Sequence, residues 1–191
     1  DGTTAADTSE TGIWAKVDSK VGDLGSYIAS VKNIETIIEI DASTLTADTI
    51  DLESVNELKM STQGVGIGVA VNVASASSMV LVKNSNLTST KNGIKLLAKS
   101  VIESKADAQA KAGNVAVGVS VISGSTEASI TGSGTINSKK GLLVSAESNA
   151  QATTNAIGKA ANDNRSGAFA GVSIVNYDTK ANIGGTVSVQ A

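Results

Sequence analysis

Three stretches of this chain are versions of one another, and that recurrence limits the fold more than any other feature. GVGIGVAVNV begins at Gly64, GNVAVGVSVI at Gly113 and GAFAGVSIVN at Gly167. Aligned on Val69, Val119 and Val172, the copies stand 50 and 53 residues apart. Val80, Ile130 and Ile183 then each lie twelve residues beyond Gly68, Gly118 and Gly171. Small polar turns follow, NSN at Asn84 and GSG at Gly132. After them come LTSTKNGIKLLA from Leu87 and INSKKGLLVSA from Ile136, each with a Lys-containing turn, a glycine (Gly93, Gly141) and a closing apolar strand.

An earlier copy is more diverged. KVDSKVG, ending at Gly22, aligns with KADAQAKAG, ending at Gly113. Ile38 and Ile40 then take the places of Ala128 and Ile130, and LTADTIDLES from Leu45 parallels LTSTKNGIKLLA. The reading is one solenoid over 1–191 with repeats 13–57, 58–106, 107–160 and an incomplete 161–191. GTVSVQA stops where the third copy runs on as GTINSKKGLLVSA, so the natural protein is expected to continue. Trp14, Val17, Val21, Leu24, Ile28 and Val31 also fit a helical stripe. Gly22 and Gly25 inside it would each cost a helix about 1 kcal/mol. Strands are therefore expected there, with a helical N-terminal cap as the alternative.

Inside each copy the periodicity is two. Val65, Ile67, Val69, Val71 and Val73 alternate with Gly64, Gly66, Gly68, Ala70 and Asn72, and Val115, Val117, Val119 and Val121 continue the theme. The expected fold is all-β: a right-handed parallel β-helix of ~50-residue repeats, each read as two coils of roughly 20–25 residues. A β-sandwich is the alternative. The chain has no Pro, which suits interior strands that donate hydrogen bonds on both sides. Only 2% of residues are aromatic against 41% hydrophobic, so a narrow interior of small and branched side chains is expected.

The same composition removes whole classes of chemistry. Without His or Cys there is no Ser-His-Asp triad, no Cys nucleophile and no His- or Cys-ligated zinc. Net charge is −3 and Arg165 is the single Arg, so the basic patch of a nucleic-acid binder is missing. No run approaches the ~18 apolar residues of a membrane-spanning helix. The start, DGTTAADTSETG, has no signal-peptide pattern. The densest acids are Asp48, Asp51, Glu53 and Glu57. With Ile50 and Leu52 turned inward, Asp51 and Glu53 share an outer face and read as solvated charge. Asp163 between Asn162 and Asn164 reads as a turn. Lys91, Lys139 and Lys140 near repeat turns read as solubilising and edge-protecting. No catalytic residue, cofactor or metal is expected.

One set of residues is singled out for interaction. Gly64, Gly66, Gly68 and Ala70, then Ala116, Gly118 and Ser120, then Gly171 and Ser173 lie opposite the Val rows. Stacked, they form a smooth strip of small side chains, read as a surface that packs against a second element or a neighbouring molecule.

The Gly/Ala/Val/Ser/Asn repeats, above all GVAVNVASASS and GLLVSAES, resemble the β-helical stalks of large Gram-negative exoproteins: the filamentous-haemagglutinin-like and leukotoxin-like filamentous adhesins. The resemblance runs from about Trp14 onward and carries no functional site. It implies export by an autotransporter or two-partner route, an extracellular or outer-surface location, and a role in adhesion, biofilm or filament formation. The implied partners are the protein itself or host and bacterial surfaces. A glycan-active or glycan-binding β-helix module is the alternative.

Overall fold

The computed structural model describes residues 12–17, 27–66, 68–110, 115–158 and 167–190. Twelve strands follow one another: β1 (Gly12–Val17), β2 (Tyr27–Asp41), β3 (Thr44–Ala47), β4 (Ile50–Gly66), β5 (Gly68–Lys83), β6 (Asn86–Ser89), β7 (Ile94–Ala110), β8 (Val115–Thr131), β9 (Ser133–Ser138), β10 (Leu142–Gly158), β11 (Ala168–Ile183) and β12 (Thr186–Gln190). From β2 onward the order is long, short, long, and each such triple winds once around the molecule. The long strands form a front sheet, β1-β2-β5-β8-β11, and a back sheet, β10-β7-β4. The short ones form an edge sheet, β12-β9-β6-β3. Every pairing is parallel except that of β1 with β2. The expected parallel solenoid is what the chain forms. A sandwich of antiparallel hairpins is excluded, because parallel neighbours need a crossover and here the rest of the coil supplies it.

The coil is longer than the sequence suggested. Val71 pairs with Val119, and Val119 with Val172, so one ~50-residue repeat makes one coil and not two. Two long strands and one short one use up the whole repeat. The sequence alignment was also two residues out at its first step, since Val69 lies beside Val117. A slip of two keeps every side chain on its own face, so the pattern survived the error. Nor is 64–73 one strand: β4 ends at Gly66, with φ +104°, and β5 starts at Gly68. Ile67 lies outside the described residues.

Which face is buried was also misread. Along β5 the buried set is Gly68, Ala70, Asn72, Ala74, Ala76, Ser78, Val80 and Val82, while Val69, Val71 and Val73 face outward. The reason is the shape of the interior, which is a wedge. Where the three sheets meet, Val80, Val82, Leu87, Ile94, Leu96, Ile130 and Ile136 fill it. Further along, Leu58, Met60, Ile102 and Ile122 pack against Ala74 and Ala76. At the far end only Ala70, Ala106, Ala108, Ala110 and Ala116 remain. There the front and back sheets converge until side chains no longer fit. A Cβ on Gly68 would lie 2.7 Å from the backbone N and O of Gln109.

Several polar side chains inside the wedge are paired across it. Ser78 donates to the Ser54 carbonyl (2.7 Å), Asn56 Nδ2 to the Ser77 carbonyl (2.9 Å) and Ser120 to Ser104 Oγ (2.6 Å). Pairing turns a desolvation penalty into a register lock between front and back sheets. The Lys-containing turns repeat the same closure: Ser89 Oγ donates to the Asn92 carbonyl and, one coil on, Ser138 Oγ to the Gly141 carbonyl.

At the start of the chain, Trp14 and Val17 belong to β1, and Ile28 and Val31 to β2. The described part of the heptad stripe is strand. Val21, Gly22, Leu24 and Gly25 lie outside the described residues, as does the KVDSKVG alignment from Asp18 on.

Candidate functional site

The strip singled out in the sequence is interior. Gly64, Gly66, Gly68, Ala70, Ala116, Gly118 and Ser120 are buried. The element they pack against is the chain's own back sheet. A Cβ on Gly118 would stand 3.1 Å from the Asn155 carbonyl oxygen and 3.2 Å from that of Ala106. Gly171 and Ser173 continue the row in β11 and are exposed. There Thr154 Oγ1 lies 3.1 Å from Ser173 Oγ, so they too face the back sheet. The strip is therefore no outer assembly surface. Small residues stand there because the two sheets are too close for anything larger.

The outward surfaces of the two long sheets differ. On the front sheet, three adjoining rows are almost wholly aliphatic: Ala29, Val71, Val119 and Val172 form the middle row, and Val31, Val73, Val121 and Ile174 its neighbour. On the back sheet many outward residues of β4 and β7 are charged, and several of these charges are matched between coils. Lys95 stands between Asp51 (3.9 Å) and Glu53, which accepts its hydrogen bond. Lys91 bonds Asp48 at 2.6 Å, Thr90 donates to the same carboxylate, and Lys99 lies 3.5 Å from Glu147.

These contacts give the acids of the cluster lysine partners. Asp51 and Glu53 do share the outer face, as their alternation with Ile50 and Leu52 required. Both serve Lys95 of the next coil, while Glu57 pairs with Lys59 of its own strand. The Lys91 and Thr90 hydrogen bonds hold the Asp48 carboxyl below its usual range, and the Lys59 ammonium does the same for Glu57. A general acid at neutral pH needs the opposite displacement. Among the described residues no group of three or more His, Cys, Asp or Glu is placed to hold a metal ion. Asn162, Asp163, Asn164 and Arg165 lie outside the described residues.

A shallow hollow of about 380 Å³ lies beside the turns, lined in part by Asp51, Lys95, Lys140 and Leu143. No aromatic side chain lines it, so it has no stacking platform for a sugar ring. Among the described residues, no helix is long and apolar enough to cross a membrane.

The sequence reading missed two features. One is the outward Val array. It was legible only to a reader who already knew that the small residues were inside. The other is Tyr177, whose hydroxyl sits 3.0 Å from the Ala76 carbonyl oxygen inside the wedge.

No family model, no curated protein and no solved structure matches the chain. What the fold defines is a class: a parallel β-solenoid with one ~50-residue repeat per coil, a valine-faced front and a charge-matched back.

Proposed function

We propose that the chain is a structural and adhesive segment of a secreted or surface-anchored Gram-negative exoprotein, of the filamentous-haemagglutinin-like or leukotoxin-like kind. The observation that supports this reading is the stacking itself. One coil per repeat means that each further repeat lengthens the molecule by about 4.8 Å without needing a new core. Outward groups then recur in straight rows, such as Val71, Val119 and Val172. Rows of identical weak groups suit many shallow contacts with a surface better than one deep ligand pocket.

The test has two arms. Producing cells are probed with an antibody against the chain, intact and after external protease. Beads coated with the chain are tested for retention on host cells and on bacterial layers. The expected outcome is a surface signal removed by protease, and retention well above albumin-coated beads. A signal seen only in lysed cells would overturn the location. Retention equal to albumin would overturn adhesion.

A further inference from the structure

From β5 to β11, three neighbouring columns on the outer face of the front sheet hold only Val, Ile and Ala. They are the column of Val69, Val117 and Ala170, the column through Val71 and Val119, and the column through Val73 and Val121. None of these residues is buried. Strand preference alone does not account for the choice. Thr is as strand-prone as Val and better solvated, yet it stands at none of these positions. Nor does the level in the wedge demand an apolar exterior. On the back sheet, beside the same narrow end, Lys105, Asp107 and Gln109 point outward. The front face is thus a continuous aliphatic patch where the opposite side of the same coils is polar.

We infer that two copies of the chain pack front to front through this patch. Its three columns offer no aromatic ring for a sugar from β5 to β11. The column two beyond Val73 carries Glu35 and Asp178, not the basic residues of a membrane-facing surface. A second copy has the same step of about 4.8 Å between strands and about 6.7 Å between columns, so the valines of one face seat between those of the other, with the sheets about 10 Å apart. The acids choose the orientation. If the strands of the two copies ran parallel, Glu35 of one would stand over Asp178 of the other, carboxylate against carboxylate. With the two-fold axis along the coil stack, through the column of Val71 and Val119, the strands are antiparallel and both stacks advance the same way. The acids of each copy then lie beyond the aliphatic columns of the other, and Val119 meets its own counterpart.

The area sets the strength. Each outward residue covers about 32 Å² at these spacings. With the flanking columns of Val115 and Ala168 on one side and Ser75 and Ser123 on the other, the contact covers about 500 Å² per copy, about 1,000 Å² per pair. That is the lower limit for a specific interface, so the dimer is weak and concentration-dependent, with a Kd in the micromolar range or above. The inference rests on the outer face of the front sheet and stands apart from the proposed adhesive role.

The test is sedimentation velocity of the intact chain from about 5 to about 500 µM, a range that brackets such an affinity. The expected result is a shift from monomer to dimer. The double substitution Val71→Lys and Val119→Lys should raise the Kd at least 10-fold, and Val101→Lys, outward on the back sheet, should leave it unchanged. Should the lysine pair fail to fold, Val71→Thr with Val119→Thr keeps shape and strand preference and should still weaken the dimer. The chain has no Cys, so a single Val119→Cys reports the orientation: mild oxidation should link it to its own counterpart, and Val101→Cys should stay unlinked. A monomer throughout the range overturns the inference, as does growth that the front-face substitutions leave untouched or a dimer in which Val119→Cys does not link. A monomer that floats with phosphatidylcholine vesicles assigns the face to lipid and overturns it as well.

Discussion

Tyr177 lies across Gly124, and its hydroxyl reaches the carbonyl oxygen of Ala76, 3.0 Å away and one coil further on. The three residues occupy one column of the front sheet. The arrangement requires that the middle one have no side chain: a Cβ on Gly124 would run into the Ala76 carbonyl oxygen and come within 2.9 Å of the tyrosine ring. The backbone there has φ +145°, a conformation that glycine adopts freely. The hydroxyl also lies 3.0 Å from Thr126 Oγ1 and 3.2 Å from the Ser125 carbonyl oxygen. Its single proton serves a carbonyl, and Thr126 donates to it.

Tyr177→Phe should therefore cost about 1 kcal/mol, the net worth of a hydrogen bond whose partners stay in place. Gly124→Ala should cost about 2 kcal/mol or more, from collision and backbone strain together. The two losses should not add, because the alanine already displaces the ring. Urea denaturation of both single variants and the double variant measures the coupling, and full additivity would refute the shared column.

The buried strip gives a sharper test. Gly118→Glu places an unpaired carboxylate between two converging sheets and should abolish the cooperative thermal transition, at a cost of about 4 kcal/mol or more. Were the strip on the surface, the same change would leave the midpoint alone and alter only association. A circular dichroism melt separates the two.

Inside and outside can be compared on one strand. Ile122 is fully buried in β8, and Ile122→Ala should lose about 2–5 kcal/mol. Val119 stands three residues earlier and points outward, so Val119→Thr should lose less than about 1 kcal/mol. Chemical denaturation of the pair would refute the assignment of faces if the order were reversed.

Stability should fall in acid through particular carboxylates. The Lys105 ammonium at 2.8 Å, opposed by partial burial and helped by a hydrogen bond from Asn155, holds the Asp107 carboxyl below its usual range. A depressed folded-state value means that the contribution is complete above the ordinary aspartate range and is lost as pH falls through the lower, folded-state value. Denaturation midpoints should thus stay level from neutral pH to about 5 and drop below about 4. Asp107→Asn should flatten that drop, and an unchanged slope would contradict the assignment.

Lys95 stands over two acids of the preceding coil, and its ammonium is stabilised chiefly by the hydrogen bond to Glu53. Lys95→Glu should lower the thermal midpoint in low salt, and 0.5 M NaCl should restore much of the loss by screening. A loss insensitive to salt would point to packing of the lysine stem instead.

Much of this was legible in the sequence, residue by residue. Leu45, Leu87 and Ile136 share one column of the edge sheet, as their alignment required, and Ile38 and Ile40 sit beside Val80 and Val82. The outward placement of Asp51 and Glu53 followed from Ile50 and Leu52. The strip was legible as a set but not as a location. Alternation separates two faces without saying which one meets water, and hydrophobicity pointed to the valines.

The sequence by itself determined the strands, their parity and the stacking of like upon like, because those depend on local period and on the recurrence of about fifty residues. Coil length and the choice of inner face were decided only by the tertiary structure. The separation between the front and back sheets sets them, and that distance is fixed jointly by residues such as Gly68 and Gln109, Gly118 and Asn155, which lie 37 or more positions apart. Where the sheets nearly touch, volume outranks hydrophobicity. Glycine and alanine are buried there, and valine is left outside.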